Sequence, residues 1–64
     1  MQVGQKVRVR RLRDRSSKEV VAHVGKIGVI QQFKMVDGSD VGVVVKFEDG
    51  FTTWYFEDEL ESVG

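Results

Sequence analysis

Val41, Val43, Val45 and Phe47 fall on every second position, so one face of a pleated strand is apolar. Glu48-Asp-Gly50 follows as a tight turn, because Gly takes a positive φ without a Cβ clash. On the returning strand Thr52, Trp54 and Phe56 share one face, and Thr53 and Tyr55 share the other. Placing Trp54 and Phe56 in the core predicts that Tyr55 is exposed, with Val44 exposed on the neighbouring strand. Gln5 to Leu12 alternates in the same manner, Val7 and Val9 inward and Lys6, Arg8 and Arg10 outward. Lys26 to Phe33 predicts another strand, but its alternation slips. Ile27, Val29 and Phe33 share one parity and Ile30 has the other, and Gly28 within the run points to a bulge or a close backbone approach.

The remaining segments connect these strands. Ser16-Ser-Lys-Glu19 has the form of a capping box, followed by Val20, Val21 and Val24 at helical spacing and by Gly25 as a left-handed stop. A helix of one to two turns is predicted over Lys18–Val24, and packing has to hold it because three Val lower its propensity. Lys34 to Asp40 reads as a loop turning at Asp37-Gly38. Glu57 to Leu60 predicts a single helical turn with Leu60 inward, and Glu61 to Val63 a last strand. Five short strands, a short helix in the long first loop and one helical turn before the last strand predict an all-β, five-stranded SH3-like barrel. An OB-fold also has five strands and a helix. It places that helix between the third and fourth strands, where this chain has only a tight turn.

The 64 residues predict one domain over 1–64, whose core is marginal for its size. With no Cys there is neither a disulfide nor a thiolate site to staple it. The formal charge is zero, which argues against strong nonspecific binding to nucleic acid. The charges are nevertheless segregated. Seven of the ten basic residues lie between Lys6 and Lys18, and six of the ten acidic ones between Glu48 and Glu61. In an SH3-like barrel the first and last strands are neighbours, so Arg8 and Arg10 are expected to face Glu57, Glu59 or Glu61. No apolar run approaches the roughly 20 residues that span a bilayer, and no signal-peptide segment opens the chain.

Catalytic chemistry finds few candidates. One His, no Cys and no Gly-rich loop before a helix leave no nucleophile–base set, so the chain is expected not to be an enzyme. His23 is expected at the surface near the helix end, and Glu57, Asp58 and Glu59 as a solvated acidic turn. Asp37 and Asp40 read as turn chemistry and not as a calcium loop, so no metal or cofactor is expected. Binding has better candidates. Arg10-Arg-Leu-Arg-Asp-Arg15 sets four Arg in six positions, suited to carboxylate or phosphate contacts and equally readable as a solvated charge run. Tyr55, if outward, adds an aromatic contact. Gly25-Lys-Ile-Gly28-Val-Ile30 is similar to the core of KOW-type modules, for which Tyr55 would serve as a stacking platform for nucleic acid.

Across nearly its full length the chain resembles the PetP family, small SH3-like subunits of the cytochrome b6f complex in cyanobacteria and red algae. The resemblance rests on Gly4-Gln-Lys-Val-Arg-Val, Arg11-Leu-Arg-Asp-Arg15, Gly25-x-x-Gly28, Met35-Val-Asp-Gly38, Val41-Gly-Val-Val-Val45 and Trp54-Tyr-Phe-Glu-Asp-Glu-Leu60. It implies a noncatalytic, cofactor-free regulatory subunit, peripheral on the cytoplasmic side of the thylakoid membrane. Such a subunit attaches through protein contacts, takes no small-molecule substrate and is a monomer when free. It tunes the stability of the complex or the balance of linear and cyclic photosynthetic electron flow. The expected contact residues are Arg11, Arg13, Arg15, Lys34, Met35 and Tyr55. A further resemblance, carried by the Phe-Glu-Asp-Gly turn and the Glu-Leu-Glu ending, is to the ferredoxin-docking subunit of the photosynthetic NDH complex. The Arg11–Arg15 loop departs from that family.

Overall fold

The computed structural model describes residues 1–13, 17–36, 38 and 40–63. Its elements run β1 (Lys6–Val9), α1 (Lys18–Ala22), β2 (Ile27–Val36), β3 (Asp40–Phe47), β4 (Thr52–Phe56), a helical turn (Glu57–Glu59) and β5 (Leu60–Ser62). The strands form one antiparallel sheet in the order β4-β3-β2-β1-β5, curled into an SH3-like barrel. The order follows from β2, which is long enough to pair with β1 at Ile27–Val29 and with β3 from Gly28 to Val36. Val9 pairs with Leu60 and Arg8 with Glu61, which brings the two ends of the chain side by side.

The slipped alternation of β2 is a register shift between Ile30 and Gln32. Before it, Gly28 and Ile30 face inward; beyond it, Phe33 and Met35 take the inner-face parity. Ile30 is therefore core and Ile27 is surface. At Gly28 a Cβ would stand 2.5 Å from Val45 Cγ1 and 2.9 Å from the Lys46 carbonyl oxygen, so the close approach expected there is present. The predicted loop 34–40 is shorter than expected. Lys34 and Met35 lie within β2, paired with Gly42 and Val41.

Val7, Val9, Val20, Ile30, Val43, Val45, Phe47, Tyr55 and Leu60 make the core, with Leu12 and Phe51 packed against it. Tyr55 corrects the sequence reading: it is 0% exposed and meets Phe47 edge-to-face at 6.0 Å. The register explains why. Phe47 N–H donates to the Phe51 carbonyl across the turn, and Val43 stands opposite Tyr55, so Phe51, Thr53 and Tyr55 share the inner face. Trp54 lies on the outer face opposite Val44. Phe56, on the same outer face, is buried by covering side chains described below.

Helix α1 ends at Ala22, two residues before the predicted end, with Gly25 at φ 88° closing the turn that follows. Val20 seats it in the core, which supplies the packing that its propensity lacks. The capping box at Ser16, the residue Arg15 and Asp37 of the predicted turn lie outside the described residues.

Candidate functional site

Leu12 packs against the core and Arg13 follows it, close to the helical turn at Glu57–Glu59. The acidic turn was expected to be solvated throughout, and Glu59 corrects this, being 0% exposed. Its two carboxylate oxygens have separate tasks. Oε1 accepts from the Phe56 backbone N–H at 2.7 Å, fixing the helical turn, and Oε2 accepts from the Arg13 backbone N–H at 2.8 Å, tying down the first loop. Hydrogen bonds to a charged acceptor are the stronger kind, which is how a buried carboxylate is accommodated here.

Asp58 gathers the arginines of the loop. Arg13 Nη2 lies 2.7 Å from Asp58 Oδ1, and Arg13 Nε donates to the same oxygen at 3.0 Å. Arg11 Nη2 stands 3.7 Å from Asp58 Oδ2, and Asp40 Oδ2 is 3.8 Å from Arg13 Nη1. The Arg13 hydrogen bond holds the Asp58 carboxyl below its ordinary value and raises the guanidinium in turn. The Arg13 guanidinium also lies over the Phe56 ring, 3.8 Å from its centroid. Trp54 meets that ring edge-to-face at 5.0 Å, and Lys34 Nζ reaches to 5.8 Å from the Trp54 centroid. A continuous stack thus covers the outer face of the sheet from Arg13 through Phe56 and Trp54 to Lys34. Its exposed members are Arg13 and Lys34, with Arg11 beside them.

The inner-face parity of β2 and β3 continues past the barrel core. Phe33 stands opposite the buried Val43, and Met35 opposite Val41. Met35 is 64% exposed, and Phe33 and Val41 are exposed with it. The hairpin therefore carries an exposed apolar patch on its inner-face parity toward the tip. Of the expected contact residues, Arg11, Arg13, Lys34 and Met35 are exposed and belong to this stack and tip. Tyr55 is removed from the surface, which also removes the stacking platform on which a KOW-like reading depended.

His23 is the residue whose setting sequence reasoning missed. It was expected at the surface, but its side chain is 12% exposed and packs between Phe47 and Phe51, 4.5 Å from each centroid. Nδ1–H donates to the Glu19 carbonyl at 2.6 Å, and Nε2–H donates to Asp49 Oδ2 at 2.9 Å. Both partners are acceptors, so only the imidazolium satisfies both. The Glu19 hydrogen bond is the main cause of a pKa above the ordinary His value; burial opposes it, Asp49 adds to it, and Lys26 lowers it. The signal available in the sequence was His23 four residues after Glu19, at the end of a helix.

Among the described residues no group of three or more His, Asp or Glu side chains is placed to hold a metal ion. Among the described residues, too, no helix is long and apolar enough to cross a membrane.

The comparisons with known proteins point one way. The solution structure of the cyanobacterial cytochrome b6f complex subunit PetP superposes with a TM-score of 0.92 at 56% identity, covering 100% of this chain and 81% of that one. The "Uncharacterized protein ORF65" of Porphyra purpurea is 35% identical over 60 residues, which is 94% of this chain and 92% of that protein. A profile described as "Cytochrome b6f, subunit Tsr0524-like" matches residues 3–61, and the chain belongs to that family of cytochrome b6f subunits of photosynthetic electron transport.

Proposed function

We propose that this chain is a noncatalytic, peripheral subunit that docks on the cytoplasmic face of the cytochrome b6f complex. There it tunes the stability of the complex or the division between linear and cyclic electron flow. The observation that carries the docking surface is the bare apolar tip of the β2–β3 hairpin, with Met35 at 64% exposure opposite Val41. Met suits such a contact, because its unbranched side chain fills irregular gaps on a partner. Arg11, Arg13 and Lys34 rim the neighbouring face, where charges set orientation and encounter rate more than affinity.

The first-loop arginines have a double role. Arg13 already holds Asp58 and covers Phe56, so replacing Arg11, Arg13 and Arg15 together by Glu would put a carboxylate beside Asp58 and damage the fold along with the contact. Met35→Glu is the cleaner test. Its side chain is exposed, so the stability change is expected within about 0.5 kcal/mol. The tagged chain, incubated with nuclease-treated, detergent-solubilised thylakoids, is expected to retain cytochrome b6f subunits, and the folded Met35→Glu variant to lose them. Equal retention by wild type and variant would refute the tip as the contact. Retention of no b6f subunit by the wild type would refute the docking itself.

A further inference from the structure

The described arginines and lysines of this neutral chain are held differently. Arg8 lies 2.9 Å from Glu61, Arg10 donates to the Asp58 carbonyl at 3.2 Å, and Arg11 and Arg13 share the Asp58 carboxylate. Among the described residues no lysine ammonium group has an ion pair or a hydrogen bond. Lys34 lies over the Trp54 ring and Lys18 begins α1, whereas Lys6, Lys26 and Lys46 line two adjoining depressions that share Ile27, Phe47 and Glu48, with Lys26 in one and Lys6 and Lys46 in the other.

Register brings this about. Lys6 stands opposite Val29, and Val29 opposite Lys46, so the three side chains leave the outer face of β1, β2 and β3 in a row with Val29 in the middle. Strands about 4.8 Å apart put the two lysine backbones about 10 Å from each other. Ile27, one position pair further along the same outer face, is 48% exposed. The floor of the groove is thus apolar and its rim cationic. Of the carboxylates beside it, Asp49 is held by His23, which leaves Glu48 as the one that faces the lysines.

We propose that this groove receives an extended acidic segment of a partner protein, with an apolar side chain on Ile27 and Val29 and carboxylates at Lys6, Lys26 and Lys46. The charge pattern argues for this occupant. Three uncompensated ammonium groups around an apolar floor form an electrostatic complement to alternating acidic and apolar side chains. A flat anionic lipid surface fits less well, since it would leave the apolar floor at Ile27 and Val29 unfilled. The inference rests on the reading of the chain as a docking subunit. It adds a second contact at the end of β2 opposite to Met35.

The test is an NMR titration of the isotopically labelled full chain with the peptide acetyl-Glu-Leu-Glu-Val-Glu-amide. Saturable amide shifts are expected at Lys6, at Lys26–Val29 and at Lys46–Glu48, weakening roughly tenfold from low to physiological salt. The shifts should vanish in the Lys6→Glu/Lys46→Glu variant and persist in Lys6→Arg/Lys46→Arg. If the Glu variant fails to fold, Lys6→Gln/Lys46→Gln replaces it. No saturable shift, shifts centred elsewhere, or shifts of the groove residues by phosphatidylglycerol vesicles and not by the peptide would each overturn the proposal. Retention of the cytochrome b6f complex by the same variants separates the two readings. If wild type fails to retain it, docking on that complex is wrong and the peptide titration still decides the groove. If wild type and the Glu variant retain it equally and the peptide does not bind, the groove is wrong and docking stands.

Discussion

Two side chains carry more of the structure than their chemical type suggests. Glu59 is a buried acid whose oxygens each accept one backbone N–H, so it joins the helical turn to the first loop. Glu59→Gln keeps the shape but leaves one oxygen for two donors, and its amide N–H group then faces an N–H. The expected loss is about 1–3 kcal/mol, the cost of an unsatisfied buried donor, read from urea denaturation. His23 makes stability depend on pH. Its folded pKa is raised above the ordinary value of about 6.5, so its contribution is fully present below that pH and is lost as pH rises through the folded value. The groups that face it are the Glu19 carbonyl from α1, Asp49 from the β3–β4 turn and Lys26 ahead of β2. Since the chain has one His, the melting temperature is expected to fall as pH rises above about 6.5, and to lose that slope in His23→Gln. An equal slope in wild type and variant would show that folding does not raise the His23 pKa.

At the scale of elements, β2 does the most. It supplies pairing for two neighbours, changes parity at its bulge and lets β3 come close at Gly28. Gly28→Ala would drive a methyl into Val45 and the Lys46 backbone, and thermal or chemical denaturation should register a loss of about 1–3 kcal/mol. Unchanged stability would mean that β3 yields at no cost. The broken alternation of β2 and the glycine within it were both legible in the sequence. The side to which each half faces was not, because a bulge exchanges the faces without changing composition. The β3–β4 hairpin shows a different loss. The turn at Glu48–Gly50 and the inward Phe47 were both read from the pattern, and counting across the turn puts Phe51, Thr53 and Tyr55 inside. Apolar bulk argued for Trp54 and Phe56 instead, and pairing geometry prevails over bulk. Phe56 still ends buried, because Arg13 and Trp54 close over it from the outside. The Arg-rich loop was legible as charge. Its internal neutralisation depended on a pairing 45 residues away, between Arg13 and Asp58, which local pattern does not encode.

At the scale of the whole molecule, the charge separation along the sequence is largely cancelled by the fold. Pairing of β1 with β5 brings Arg8 to Glu61, and the first loop brings Arg11 and Arg13 to Asp58. Among the described residues, the exposed apolar side chains include the tip at Met35 and Ile27 in the lysine-rimmed groove, at opposite ends of β2. A small barrel whose described arginines are tied up, and which leaves these two surfaces open, suits the proposal that something larger holds it. Hydrogen exchange of the chain, measured with and without the purified cytochrome b6f complex, tests that most directly. Slowed exchange at residues 33–36 and 40–42, greater than in the interior of β4, is the predicted result. An exchange pattern unchanged by the complex, or protection confined to other segments, would contradict docking through the β2–β3 tip.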